Sequence, residues 1–307
     1  MRPGARASKC ARWRSSDALR RLNNTLVLRP VVALLNYLAP TREPLRTYAY
    51  DPPGGGPRFN GHLQAHTVLI ADARALHADG RLGPHGFTLC ERPSAVGDFE
   101  NEARLKVIGY PEAEALVREL TGARQAIVFD HTLRRRAPGR PPLDGLGGSF
   151  AAVREPVGRV HADYTPSSAR ERLRLVLGDE AAAAAMSRRF LIVGLWRPLN
   201  AEPLLDAPLA LVDARSLRPQ DLVPNDLIYP DRRGQSLAIT HHADHQWFYF
   251  SLQRRDEVTV FKHFDSRPPA GCGVGVTAHT AFEDPGTPSD APLRRSVELR
   301  AFALFDD

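Results

Sequence analysis

Short apolar runs separated by turn residues dominate the chain after residue 157. Nine such runs follow one another, and Pro, Gly, Asp or Asn stands between most of them. Many short strands with turn signals between them are typical of closed or double-sheet β architectures. An α/β sheet needs a helix between successive strands, and no helical pattern follows residue 190. We therefore expect a mainly β protein with α additions, whose core is a jelly roll, or double-stranded β-helix.

The part of the chain before residue 150 mixes both kinds of pattern. Residues 66–74 and 125–134 are rich in β-branched and apolar side chains, which predicts two strands. Residues 110–123 predict a helix between them, with Pro111 in its first turn and Gly122 at its end. This alternation predicts an N-terminal α+β extension of the jelly roll.

A loop rich in Pro and Gly, residues 137–149, is the one plausible domain boundary. We accordingly predict a basic, disordered tail over residues 1–30, an α+β part over 31–150 and the jelly-roll core over 151–307. Within the core, a strand at 157–165 precedes a helical stretch over about 167–189, and Ser167 or Ser168 is its expected N-cap.

The positive charge of the chain lies in its first thirty residues, which contain eight Lys and Arg and one acid. The whole chain has 41 basic and 35 acidic residues, so 33 and 34 remain in the body. This near-neutral body gives no electrostatic argument for nucleic-acid binding. No apolar run approaches the roughly 18–20 residues that a membrane span needs, so we expect no membrane partner. The three cysteines are far apart and lack a CxxC motif, which favours a reducing cytoplasm.

Two potential metal ligands stand two residues apart in the segment RVHADYT, residues 159–165. On a strand, His161 and Asp163 point to one face and Ala162 to the other. The pair is either a structural hydrogen bond at a strand end or part of a 2-His-1-carboxylate iron site, which needs one more histidine from a distant strand. The downstream candidates are His241, His242, His245, His263 and His279.

A cluster of arginines near the end of the chain favours His279 as the third ligand. If the open iron positions hold an α-keto acid, its far carboxylate needs a cation, and Arg binds carboxylates through two parallel hydrogen bonds. Arg294 with Ser296 two residues on would form such a clamp, and His279 precedes it by one turn and one strand. Arg300 falls on the same strand face about 20 Å farther along, and we expect it to pair with Glu298 or another buried acid.

Six segments follow one another along the chain: RVHADYT, LWRPL, HQWFYF, DEVTVFKHFDS, AHTAFEDP and RRSVELR. In these segments and in their order, the chain resembles the CmcJ/AsaB-like hydroxylase/desaturase family. This family includes fungal gibberellin desaturase-like enzymes. The resemblance extends forward to GFTLCERPSAV and IVFDHTLR, and it covers roughly residues 30–305. It implies a non-haem Fe(II), 2-oxoglutarate-dependent oxygenase that uses O2 and acts on a small molecule of secondary metabolism.

The same resemblance implies the roles of individual residues. His161, Asp163 and His279 would bind iron, and Arg294 with Ser296 would hold 2-oxoglutarate. Arg300 remains the second candidate for that carboxylate. Arg197, Trp247 and Tyr249 are candidates for substrate contact, although an aromatic side chain on a strand is as often part of the sheet core.

Two other functions are compatible with parts of the sequence. A cupin-like binding module would keep the barrel and bind a small molecule without turnover. A zinc hydrolase would use the histidines of THHADHQ, residues 240–246, but Thr240 stands where the first His of the HxHxDH pattern should be. Iron content and 2-oxoglutarate consumption would distinguish the three.

Overall fold

Fourteen strands form the framework of the described chain. The computed structural model describes residues 29–76, 82–143, 145 and 154–306, so nearly all of the predicted tail lies outside the described residues. The strands are β1 Val31–Leu38, β2 Leu45–Tyr48, β3 Leu63–Asp72, β4 Phe87–Glu91, β5 Gln125–Arg135, β6 His161–Ala162, β7 Phe190–Pro198, β8 Leu209–Val212, β9 Leu222–Ile228, β10 Arg233–Ile239, β11 Trp247–Tyr249, β12 Glu257–Asp265, β13 His279–Ala281 and β14 Arg295–Leu304. Nine of them, β6 to β14, follow residue 157, as the apolar runs predicted.

The strands form two sheets of a double-stranded β-helix. One sheet has nine strands in the order β1-β3-β11-β8-β13-β6-β10-β9-β2, and the other has five in the order β4-β12-β7-β14-β5. Most neighbours are antiparallel, while β11 pairs with β3 and β2 with β9 in parallel. The expected mainly β fold with a jelly-roll core is confirmed.

Strands from before residue 150 complete both sheets. β4 and β5 form the two edges of the five-stranded sheet, where they pair with β12 and β14. β1 and β3 extend the nine-stranded sheet beside β11. The loop at 137–149 therefore does not separate two sheets, because each sheet contains strands from both sides of it.

Three helices of at least eight residues are present in the described ranges: α1 Tyr110–Thr121, α2 Pro166–Leu177 and α3 Asp179–Met186. Shorter helical turns occur at Ala73–Ala75, Glu102–Arg104, Leu105–Gly109, Ala214–Ser216 and Pro219–Asp221. No helix among the described residues is long and apolar enough to cross a membrane.

The ends of α1 and α2 follow from their capping residues. α1 begins with Pro in its first turn and ends at Gly122, which has a left-handed φ of 71°. The cap of α2 is Thr165, whose hydroxyl accepts from the Ser168 backbone N–H in a capping box, so the expected Ser167 or Ser168 cap was wrong by two or three residues. Gly178, with φ of 80°, ends α2, so the predicted stretch 167–189 is two helices.

The central strands of the five-stranded sheet are buried on both faces. All nine residues of β12 and eight of nine in β7 are buried. Their outer face packs against α1 in a cluster that contains Leu116, Val117, Leu195 and Leu299. Their inner face turns toward the nine-stranded sheet, and this interior contains the polar side chains described next.

Candidate active site

β6 and β13 bring three potential metal ligands together. The two strands pair in register at a single position, His161 opposite His279. β6 ends after two residues, so Asp163 lies in the bend that follows rather than in the strand predicted over 157–165. Ligand atoms of His161, Asp163 and His279 nevertheless all lie within 4.8 Å of one another. Asp163 Oδ1 is 3.4 Å from His161 Nε2 and 3.8 Å from His279 Nε2.

Backbone carbonyls orient both histidine rings. Nδ1 of His161 is 2.8 Å from the Arg159 carbonyl oxygen, and Nδ1 of His279 is 3.3 Å from that of Thr277. Because each carbonyl can only accept, each Nδ1 is the donor, and each Nε2 lies on the side of Asp163. Burial, followed by the neighbouring His161, lowers the pKa of His279 to about 3, so its ring is neutral at pH 7. The Nε2 atoms of both histidines and one carboxylate oxygen of Asp163 therefore face one point.

The second oxygen of Asp163 is held by Arg300. Arg300 Nε donates to Asp163 Oδ2 at 2.9 Å, and the same guanidinium contacts Glu298 at 3.3 Å and Asp130 at 3.4 Å. Burial opposes the ionisation of Asp163, but Arg300 and His263 hold the pKa of its carboxyl well below its usual range. Arg300 thus contacts buried acids, as its strand position suggested, and one of them is the candidate metal ligand Asp163.

His263 is the main site residue to which sequence reasoning gave no role. Its Nε2 is 2.8 Å from Glu298 Oε1, and its Nδ1 is buried without a hydrogen-bond partner, 3.7 Å from Asp163 Oδ2. His263, Glu298 and Asp163 form a second group whose ligand atoms lie within 4.8 Å. Gly194 on β7 makes room for this ring, since a Cβ there would lie 2.6 Å from His263 Nε2. His263 was one of the downstream candidates, but the Arg294–Ser296 pair that follows His279 favoured His279.

Arg294 lies buried on the inner side of β14 near its start. Its Nε donates to Ser296 Oγ at 3.1 Å and its Nη1 to the Ala207 carbonyl at 2.6 Å, while its guanidinium lies 4.9 Å from the centre of the Trp196 ring. No carboxylate of a described residue lies within 4.0 Å of this guanidinium. Burial, reinforced by the nearby Arg134, lowers the pKa of Arg294 to about 9. The result is a buried cation next to a hydroxyl, and no carboxylate of a described residue contacts its guanidinium.

The three candidate substrate residues do not join this group. Arg197 lies among the residues that face α1, on the opposite face of β7 from Trp196, and it donates to the carbonyls of Arg255 and Arg92. Trp247 donates to the Tyr37 hydroxyl at 2.7 Å, and Tyr249 donates to the Arg29 carbonyl at 2.6 Å. Both aromatic side chains belong to the buried core cluster rather than to the cavity beside His161.

That cavity has a volume of about 490 Å³ and reaches the metal ligands from one side. His161, Asp163 and Arg300 lie in its wall, together with residues of β5, α2 and β9–β10. Its size lies within the range of small-molecule sites. The arrangement therefore places an open space for a small organic molecule directly beside two of the three potential ligands.

The histidines of residues 241–245 form a separate cluster. His241 stacks on His66 with ring centres 3.9 Å apart, and His245 contacts the Tyr37 hydroxyl and Asp221 at 3.2 and 3.0 Å. Among the described residues, neither group with metal-ligand geometry includes a histidine of this cluster. The geometry gives no support to the zinc hydrolase alternative.

Known proteins of similar sequence and structure include 2-oxoglutarate-dependent oxygenases. Residues 35–304 match the sequence model of a family described as "Oxidoreductase/YMDC permease-like domain". The Fe(II)/2-oxoglutarate-dependent dioxygenase nvfI of Aspergillus novofumigatus is 32% identical over 87% of this chain and 92% of its own. The alpha-ketoglutarate-dependent dioxygenase phiK of Fungal sp. (strain ATCC 74256) is 32% identical over 90% and 96%. A solved structure of the iron and alpha-ketoglutarate-dependent endoperoxidase NvfI superposes with a TM-score of 0.78 at 28% identity, covering 92% of this chain and 99% of that one.

Proposed function

Because the chain belongs to the hydroxylase/desaturase family of Fe(II)/2-oxoglutarate-dependent dioxygenases, we propose that it oxidises a small organic molecule with O2 and 2-oxoglutarate at His161, Asp163 and His279. The observation that carries the proposal is that ligand atoms of these three side chains lie within 4.8 Å of one another, with both Nε2 atoms beside one oxygen of Asp163. Two imidazoles and one carboxylate on one side of a metal are the donor set of non-haem Fe(II) oxygenases.

The residues around the three ligands fit a metal ion. The two backbone carbonyls fix the ring orientations, and Arg300 holds Asp163 Oδ2, which leaves Oδ1 on the side of His161 and His279. Partners of this kind normally orient the ligands of a metal site. A bound cation would also add to the charge of Arg300 in offsetting the Asp163 carboxylate.

The residues at the start of β14 fit 2-oxoglutarate. Arg294 is a buried guanidinium without a carboxylate partner among the described residues, and Ser296 adds a hydroxyl beside it. A dicarboxylate that entered the barrel would supply the missing anion, and a charge-assisted pair at this depth is stronger than the present contacts to a carbonyl and a hydroxyl. Arg300 is less suited to the same role because three acids of the chain already surround it.

Bound Fe(II) would supply the O2 activation, and the chain's own residues supply position and environment. Arg294 and Ser296 fix the far end of the cosubstrate, the buried inner faces of β7, β12 and β14 exclude water, and the cavity of about 490 Å³ places the substrate beside His161 and Asp163. Whether the outcome is hydroxylation, desaturation or ring closure depends on that placement. We also keep the prediction of a reducing cytoplasm, which rests on the three dispersed cysteines.

The deciding experiment is anaerobic reconstitution followed by exposure to O2. Purified full-length protein should bind about one Fe(II) per chain and convert 2-oxoglutarate to succinate only when Fe(II) and O2 are both present. His161→Ala should lose both properties. A protein that binds zinc and consumes no 2-oxoglutarate would support the hydrolase, and one that binds a small molecule without any 2-oxoglutarate consumption would support the cupin-like module.

A further inference from the structure

The cavity beside the metal ligands is strongly cationic. Seven arginines line it, against three carboxylates: Asp130, Asp163 and Glu171. The composition of the chain does not explain this excess, because the body without the first thirty residues contains slightly more acidic than basic residues. The positive charge is thus concentrated where a substrate would enter.

The three acids do not neutralise this wall. Asp163 and Asp130 both contact Arg300, at 2.9 and 3.4 Å. Glu171 contacts Arg174 at 3.5 Å, and Arg174 is not part of the cavity wall. One arginine therefore balances two of the acids, and the third acid faces an arginine outside the cavity.

Two of the remaining arginines stand on different elements of the wall. Arg134 lies on β5, two residues after Thr132 and on the same strand face. The Thr132 hydroxyl accepts a hydrogen bond from Arg300. Nη1 of Arg134 donates to the Glu155 carbonyl at 2.7 Å, and burial lowers the pKa of Arg134 to about 10. Arg172 extends from α2 with its guanidinium 5.8 Å from the centre of the Phe129 ring. Neither guanidinium has a carboxylate of a described residue within 4.0 Å.

Apolar side chains occupy the space between these charges. Phe129, Tyr164, Leu175 and Leu227 line the same cavity. A wall that combines apolar surface with a few fixed polar groups is typical of sites for small organic ligands, in which the polar groups determine orientation. Arginine is the side chain best suited to bind a carboxylate in two-pronged geometry.

We propose that the substrate is an organic anion, a carboxylate or similar oxyanion on a hydrophobic body, and that the arginines of this wall, among them Arg134 and Arg172, attract and bind its charged group. This rests on the proposed function, since it assigns the cavity to the substrate of the oxygenase. Arg294 is not part of this cavity wall, but Arg134 lies opposite Ser296 on β14, so only binding measured with excess 2-oxoglutarate separates this anion from the cosubstrate. Recognition at Arg134 and Arg172 orients the hydrophobic body toward His161 and Asp163.

The test compares two fluorescent probes that differ only in charge. 8-Anilinonaphthalene-1-sulfonate carries a sulfonate on the aromatic body of N-phenyl-1-naphthylamine. Titrations use the full chain with excess 2-oxoglutarate under anaerobic conditions, so that the cosubstrate site is saturated. We expect the sulfonate to bind at least about tenfold more tightly than the neutral amine, because charge-assisted hydrogen bonds contribute at least this factor.

Variants locate the effect. Arg134→Gln and Arg172→Gln should each weaken sulfonate binding about tenfold and leave the affinity for the neutral amine within about twofold, which also shows that the variant is folded. The matched control is Arg170→Gln, an exposed arginine on the same helix as Arg172 that does not line the cavity. Absent sulfonate binding, equal affinity for the two probes, or an equal loss in Arg170→Gln would overturn the proposal.

The same titrations separate this proposal from the proposed function. Probe binding is measured without turnover, so a preference for the sulfonate that depends on Arg134 and Arg172 would stand even if the protein consumed no 2-oxoglutarate. In that case the oxygenase assignment alone would fail. Normal 2-oxoglutarate consumption with no probe preference would instead refute the anionic substrate and leave the oxygenase intact.

Discussion

Arg294 lies directly before β14 and Arg300 lies within it, on the same face by alternation, yet replacement by glutamine should affect them in opposite ways. Arg294 is a buried cation without a carboxylate partner among the described residues, and its lowered pKa, about 9, means that the fold disfavours its charge. Glu298 and Asp163 raise the pKa of Arg300 well above its usual value despite burial, so the fold stabilises that charge. The charge of Arg294 thus reduces the stability of the fold at pH 7 to 8, and the charge of Arg300 increases it.

The expected magnitudes follow from these contacts. Arg294→Gln loses the hydrogen bonds to Ser296 and Ala207 but also removes an unfavourable buried charge, so the melting temperature should stay within about 3 °C. If Arg294 holds the cosubstrate as proposed, the same change removes that paired contact and should raise the KM for 2-oxoglutarate by about 30- to 1000-fold, or about 2–4 kcal/mol. Arg300→Gln leaves buried carboxylates unbalanced and should cost about 3–5 kcal/mol of stability, or at least about 6 °C.

Two assays with one control check the reasoning. Differential scanning calorimetry measures the melting temperature, and succinate release at varied 2-oxoglutarate measures the KM. The control is Arg295→Gln, which removes an exposed arginine that pairs with Glu100 at the surface and should change neither quantity appreciably. If Arg300→Gln abolished cosubstrate binding at unchanged stability while Arg294→Gln was nearly silent, the assignment of the two arginines would be reversed.

Three further substitutions test the site and its supports. His279→Ala should abolish stoichiometric Fe(II) binding measured by metal analysis, whereas His242→Ala should retain it; equal retention in both would refute the proposed ligand set. Gly194→Ala should lower the free energy of unfolding by about 1–3 kcal/mol, because its Cβ would lie 2.6 Å from His263. The control Gly97→Ala should be tolerated, because its Cβ would have no atom within 4 Å. Equal urea midpoints for the two variants would contradict this. Thr165→Ala removes the cap of α2 and should cost about 1 kcal/mol in the same denaturation assay, and an unchanged midpoint would show that the cap is dispensable.

The strand pattern after residue 157 was predictable because most of its apolar runs are separated by turn residues such as Pro, Gly, Asp and Asn. Every apolar run of that region contains one strand, from β6 to β14. The length of β6 was not predictable. The run VHADYT looks like a longer strand, but β6 is only two residues long, Asp163 lies in a bend, and Thr165 already caps α2. The capping of a helix by Thr165 limits the strand, and that competition is not visible in alternation alone.

Side-chain direction was the harder part of the site to predict. Alternation identifies the inner face of a strand only when the other face meets water. β7 and β12 are buried on both faces, because α1 and its neighbours cover the outer one, so their sequences give no such signal. Arg197 was therefore a reasonable substrate candidate although it points to the α1 side, and His263 could not be distinguished from its neighbours although it faces Asp163.

The charges inside the barrel show what a linear sequence leaves undetermined. Counting residues gives a near-neutral body, and this argued against a polyanionic partner such as nucleic acid. Net charge, however, is a sum over the whole surface, and folding distributes it unevenly. β5 contributes Arg134 and α2 contributes Arg172 to one cavity, and these residues are 38 positions apart in the chain. A substrate experiences the local field of the cavity rather than the net charge, so a near-neutral protein can still select an anion.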